Sequence, residues 1–168
     1  MKAIKVQKRR RREFKTDYST RIKLLKSNRP RLVFRRTNKY FIVQYVISEE
    51  AKDKILFGIT SKELLKYSWP ENFKGSLRSI PSAYLTGYLV GNKIKKEKLD
   101  TPIVDFGMLR TKYKSRVFSF LKGLIDSGLK LNSKPEVFPE EGRIKGEHLK
   151  ENFAKDFEKV KLSIGKIK

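Results

Sequence analysis

The chain has 168 residues, with 41 Lys or Arg against 18 Asp or Glu, a formal net charge of +23. Its apolar fraction of 38% supports one modest core. No run approaches the ~18 consecutive apolar residues of a transmembrane helix, and Met1 to Arg12 lacks the apolar stretch and cleavage site of a secretory signal, so no membrane partner is expected. The absence of cysteine excludes disulfides, thiolate zinc sites, iron–sulfur clusters and cysteine nucleophiles, and it fits a reducing compartment.

Composition divides the chain into a basic arm (1–28), an α/β core (29–132) and a loop with a C-terminal helical extension (133–168). Met1 to Lys39 carries +14, more than half of the excess in under a quarter of the length. A block of like charge repels itself, so the segment around Lys8-Arg9-Arg10-Arg11-Arg12 reads as a tail without structure until a polyanion neutralises it, with a short helix across Tyr18 to Leu25.

In the core, Arg31 to Arg36 and Tyr40 to Ile47 are rich in β-branched and aromatic residues and flank Thr37-Asn38-Lys39, the pattern of a hairpin. Ile55 to Ile59 predicts a third strand. Thr60 and Glu63 form a capping-box pattern that opens a short helix toward Tyr67. Pro81-Ser82 starts a longer helix that runs to about Lys98. Thr101 to Phe106 suits a buried strand. Ser115 caps a helix whose face is Val117, Phe118, Leu121, Leu124 and Ile125, with Gly128 placed to stop it. Leu149, Phe153, Phe157 and Val160 give a final stripe at helical spacing. The fold class expected is α/β, a mixed, mostly antiparallel sheet with helices packed on one face.

Strand parity carries a functional expectation. Leu32 and Phe34 point one way, and Arg31 and Arg35 the other. A second face left open, bearing Arg31, Arg35, Tyr40 and Gln44, would combine guanidinium groups for phosphate with a ring for an unpaired base, as RNA-binding sheets do. In the arm, Arg9 to Arg12, Lys15 and Arg21 are interleaved with Phe14 and Tyr18, and only Glu13 and Asp17 interrupt them. That is the footprint of a nucleic-acid partner.

Catalysis has no comparable pattern. His148 is the single histidine, flanked by Glu147 and Glu151, with no second His or Cys to complete a metal site. Asp105-Phe106-Gly107 copies a kinase tripeptide without the accompanying motifs and reads as a strand end and turn. Glu136, Glu140 and Glu141 are loop acids. No P-loop or dinucleotide pattern occurs. No catalytic residue, metal or cofactor is expected. Gly87 and Gly91, four apart inside a predicted helix, call for close packing against the sheet or an RNA backbone, and Trp69 for sealing the core edge.

Several segments, taken in order, resemble the archaeal and eukaryotic branch of the universal large-subunit ribosomal protein L18 family. They are Arg9-Arg10-Arg11-Arg12-Glu13 with Thr16-Asp17-Tyr18, Arg21 to Ser27, Arg29-Pro30-Arg31-Leu32-Val33, Asn38-Lys39, Pro81 to Gly87, Val117-Phe118, Asp126 to Leu129 and Arg143 to His148. Tyr67-Ser68-Trp69 stands where the family has Tyr-Gly-Trp. The resemblance implies a structural, non-enzymatic protein of the cytoplasmic ribosome. Its partners would be 5S ribosomal RNA, large-subunit ribosomal RNA and neighbouring proteins of the central protuberance. It also implies RNA contacts on the arm (Lys8, Arg9, Arg10, Arg11, Arg12, Lys15, Tyr18, Arg21, Lys23) and on the hairpin (Arg29, Arg31, Arg35, Arg36, Asn38, Lys39, Tyr40). A basic DNA-binding architectural protein is the alternative that charge alone allows, and an RNA-processing enzyme a more distant one.

Overall fold

The structure, a computed structural model, describes residues 6–50, 52–149 and 153–166. The first five residues of the expected arm, and Glu151 beside His148, lie outside these. Four strands form one sheet in the order β3-β2-β1-β4. β1 (Arg31–Arg36) pairs antiparallel with β2 (Phe41–Glu49) through the expected hairpin, and β2 pairs antiparallel with β3 (Lys52–Thr60). β4 (Ile103–Asp105) adds parallel to β1. The sheet is therefore mixed and mostly antiparallel.

Alternation decides what each face does. Leu32 and Phe34 of β1, Phe41, Val43 and Tyr45 of β2, and Phe57 and Ile59 of β3 are all buried on one face. The helices α3 (Ile80–Lys96), α4 (Arg116–Asp126) and α5 (Phe153–Gly165) add their apolar residues to the same core. Phe34 and Phe120 meet there at 4.5 Å between ring centroids. Phe153, Phe157, Val160 and Ile164 are buried, so the C-terminal stripe closes this chain's own core. Trp69, 3% exposed, meets Phe153 edge-on and donates its indole N–H to the Phe73 carbonyl at 3.1 Å. It seals the core edge as its sequence position suggests.

Three local expectations are corrected. The α3 cap is Ser79, whose side chain accepts from the Ser82 N–H at 3.3 Å, and Pro81 sits in the first turn, where its missing N–H costs no hydrogen bond. The segment after Thr60 is a tighter 3₁₀ turn, Ser61–Tyr67, although the capping box is present. Ser68 follows it with φ +64°, the left-handed conformation that a glycine in this position would adopt freely. On α4 the buried positions are Val117, Ser119, Phe120, Gly123 and Leu124, so Phe118, Leu121 and Ile125 flank the core rather than fill it.

The α4 correction has a steric cause. Where they cross, α3 and α4 meet backbone to backbone, so Gly87 approaches α4 rather than the sheet. A Cβ on Gly87 would fall 2.2 Å from the Phe120 carbonyl oxygen, and one on Gly123 would fall 2.1 Å from that of Tyr84. Small residues thus make the closest contact, and the larger ones turn aside. In an open helix Gly→Ala stabilises by about 1 kcal/mol. Here the sign reverses: Gly87→Ala is expected to destabilise by about 1–3 kcal/mol, the cost of forcing extra volume into a packed interior. A thermal melt no lower than that of the parent chain would contradict this packing.

Candidate nucleic-acid interface

The basic arm is folded where the sequence predicts a structureless tail. α1 (Arg9–Arg12) and α2 (Tyr18–Lys26) lie over the second face of the sheet. Asp17 joins the two helices. Its Oδ1 accepts from the Ser19 N–H at 3.2 Å and its Oδ2 from the Thr20 hydroxyl at 3.0 Å, while Arg11 pairs with it at 3.2 Å. The Thr20 hydrogen bond, with the Arg11 charge, holds the Asp17 carboxyl below its ordinary range. Glu13 pairs with Lys15 at 2.8 Å and Arg9 at 3.7 Å. The two interrupting acids thus supply the neutralisation that a purely basic segment would lack.

The arm is tied to the sheet by a third acid. Arg21 donates to Asp53 of β3 at 3.0 Å. Asp53 also receives Arg31 at 2.6 Å and the Ser48 hydroxyl at 2.7 Å. Burial raises the Asp53 carboxyl, but the hydrogen bonds from Ser48 and Arg31 and the charges of Arg31 and Arg21 outweigh it, so its pKa lies below the ordinary range. Arg31 reaches a second carboxylate, Asp105 of β4, at 3.4 Å, and Arg35 shares that oxygen at 3.4 Å. Asp105 Oδ1 accepts from the Gly107 N–H at 2.7 Å. This turn needs glycine, because Gly107 has φ +59° and a Cβ there would fall 2.9 Å from the Arg35 guanidinium carbon. The Asp-Phe-Gly tripeptide is thus a strand end and turn that orients a carboxylate toward two arginines.

These contacts sort the expected site residues. Strand parity places Arg31 on the second face, but it is 3% exposed and spent on two carboxylates, so it braces the face from within. Arg35 and Arg21 are half-buried in the same network. The second face is not open as expected, because the arm roofs part of it and leaves a cleft of about 210 Å³ lined by Arg10, Lys15, Arg21, Arg35 and Gln44. Tyr40 packs against the core with Lys62 Nζ 4.5 Å from its ring centroid, and Lys8 Nζ lies 4.7 Å from that of Tyr18. Each of these rings already carries a cation. Arg11 is half-buried. Lys8, Arg9, Arg10, Arg12, Lys15, Lys23, Arg29, Arg36, Asn38 and Lys39 are exposed. Among the described residues Lys8, Arg10, Arg12 and Lys23 have no carboxylate within ion-pair distance.

The geometry combines exposed cations on a helical arm with a braced basic sheet face. Among the described residues no three His, Cys, Asp or Glu side chains converge on a metal position, and His148 is exposed. No described helix is long and apolar enough to cross a membrane. Sequence reasoning passed over Asp53 and Asp105 as partners of the arginines. The available signal was two acids at strand positions on a face otherwise read as basic.

Comparison with known proteins assigns this architecture. Residues 2–102 match the family described as ribosomal large subunit proteins 60S L5 and 50S L18. A relative in Korarchaeum cryptofilum, large ribosomal subunit protein uL18, is 46% identical over 145 residues, covering 86% of this chain and 72% of the relative. Its counterpart in Methanoregula boonei, with the same name, is 45% identical over 141 residues, covering 84% and 79%. The chain belongs to the uL18 family. As a uL18 protein it belongs to a family of structural ribosomal proteins, not enzymes. The basic arm, the hairpin and α3 all fall inside the matched region.

Proposed function

We propose that this uL18 protein binds 5S ribosomal RNA and helps anchor it to large-subunit RNA in the central protuberance of the cytoplasmic ribosome, beside neighbouring ribosomal proteins. Family membership supports the choice of RNA. The observation that carries RNA contact is the arm itself, held to the sheet by Arg21 and Asp53 at 3.0 Å while Lys8, Arg10, Arg12 and Lys23 stay exposed.

The chemistry suits a folded RNA. Duplex RNA hides its bases in a deep, narrow groove and offers phosphates and a shallow minor groove, so recognition works through charge and shape. Arginine forks pair with phosphate in a fixed geometry. Arg9, Arg10, Arg12, Arg29 and Lys39 act as the phosphate-facing cations, while Arg31 and Asp105 keep the face in shape. The test is competition at one salt concentration. Labelled 5S ribosomal RNA bound to the full chain should resist displacement by duplex DNA and yield to unlabelled 5S RNA. Equal displacement by both would leave only a charge-driven architectural role.

A further inference from the structure

On the opposite side of the sheet from the arm, a groove of about 460 Å³ opens at the start of α4. Phe34, Phe41 and Val117 form its floor, and Arg36, Arg110, Lys112, Arg116 and Arg143 line it. The charge here differs in kind from that of the arm. Among the described residues none of these five cations has a carboxylate within ion-pair distance. Only Lys114, beside them, is paired, with Glu140 at 3.0 Å. Burial, with added repulsion from Arg78 and Arg36, pushes the Arg116 guanidinium below its ordinary pKa.

The polar groups at the helix end are also left over. Ser115 occupies the N-cap position of α4 with extended backbone, but its side chain makes no cap hydrogen bond, contrary to the sequence expectation. Its hydroxyl is buried and has no hydrogen-bond partner among the described residues. The first N–H groups of a helix have no acceptor within the helix and carry its positive end. A hydroxyl without a partner, the first amides of a helix and arginines without paired carboxylates, above an apolar floor, make one arrangement whose chemistry suits an anion.

We propose that this groove is a second nucleic-acid site, seating a backbone phosphate of RNA on the first turn of α4 between Ser115, Arg116 and Arg36. The phosphate would accept from the Ser115 hydroxyl and the first amides of α4, while the guanidinium groups pair with its remaining oxygens. Arg36 closes the β1–β2 hairpin, so the groove is continuous with the Asn38 and Lys39 turn. The arm and the groove lie on opposite sides of the sheet, and the chain can therefore grip two RNA segments at once. This inference rests on the RNA-binding reading above and adds a place to it.

The test uses the full chain and the triple variant Arg110→Gln/Lys112→Gln/Arg116→Gln. Binding of purified 5S ribosomal RNA and of large-subunit ribosomal RNA is measured against salt, beside a thermal melt of each free protein. Affinity for at least one RNA should fall about tenfold or more, with a salt slope flatter by about 0.7–0.9, the contribution of the one phosphate no longer neutralised. The variant should also melt at or above the temperature of the parent, since it relieves repulsion. Unchanged affinity for both RNAs overturns the proposal, as does a weaker affinity that comes with a lower melting point. Displacement of RNA from the parent's groove by polyglutamate as readily as by RNA would assign the groove to an acidic protein instead. The broader reading is judged separately, on whether the parent chain prefers 5S RNA to duplex DNA.

Discussion

Asp105→Ala destabilises the chain by about 3–5 kcal/mol, the range for removing one partner of a buried ion pair. Asp105 is 7% exposed, and its carboxylate is the only acid that both Arg31 and Arg35 reach among the described residues. Without it Arg31, 3% exposed, keeps only Asp53 and Ser48, and the Gly107 turn loses the acceptor of its N–H. Urea or thermal denaturation reads the effect directly. The double variant Arg31→Met/Asp105→Leu should cost less than Asp105→Ala alone, because it removes the stranded charge together with its partner. If the double variant costs the sum of its parts, the arginine and the carboxylate are not coupled and the brace is misassigned. Asp53 adds a pH dependence. Its folded pKa lies below its ordinary value of 3.8, so its contribution is fully present above that pH and is lost as pH falls through the lowered value.

The triple variant Arg9→Gln/Arg10→Gln/Arg12→Gln binds 5S ribosomal RNA more weakly, and its plot of log affinity against log salt is flatter by about 2–3, one step of ~0.7–0.9 for each phosphate that keeps its counterions. Stability should stay within about 0.5 kcal/mol of the parent, as for substitutions on an exposed surface. The three side chains are exposed, and the one ion pair among them, Arg9 with Glu13, is long at 3.7 Å. The paired measurement matters because Arg21, in the next helix, also touches structure. An unchanged slope would show that these arginines face solvent in the complex.

The hairpin and the long helix were legible because their signals are local. Thr37-Asn38-Lys39 lies between two β-rich runs, and the α3 pattern spans several turns. The α4 face was not legible from hydrophobic periodicity, which weights Phe118 and Leu121 above Ser119 and Gly123. The closest contact is made by the residues with least side chain, and apolar patterning does not count them. The order of the arm was hidden for another reason. Its charge suggested repulsion, but the anchoring acid Asp53 lies 32 residues beyond Arg21 and enters only when β3 pairs with β2. That Arg110, Arg116 and Arg143 form one site was hidden likewise, since they are scattered in sequence and gathered by the fold.

The glycine contact between α3 and α4 reaches further than the core. On α4, Phe120, whose carbonyl faces Gly87, lies one turn from Arg116. The distance at which the two helices settle therefore sets where the basic end of α4 stands relative to the sheet, and so how wide the groove is. A methyl group absent from a helix that carries no charge at that point acts as a spacer for a surface of opposite chemistry. A side chain at position 87 would displace arginines it never touches.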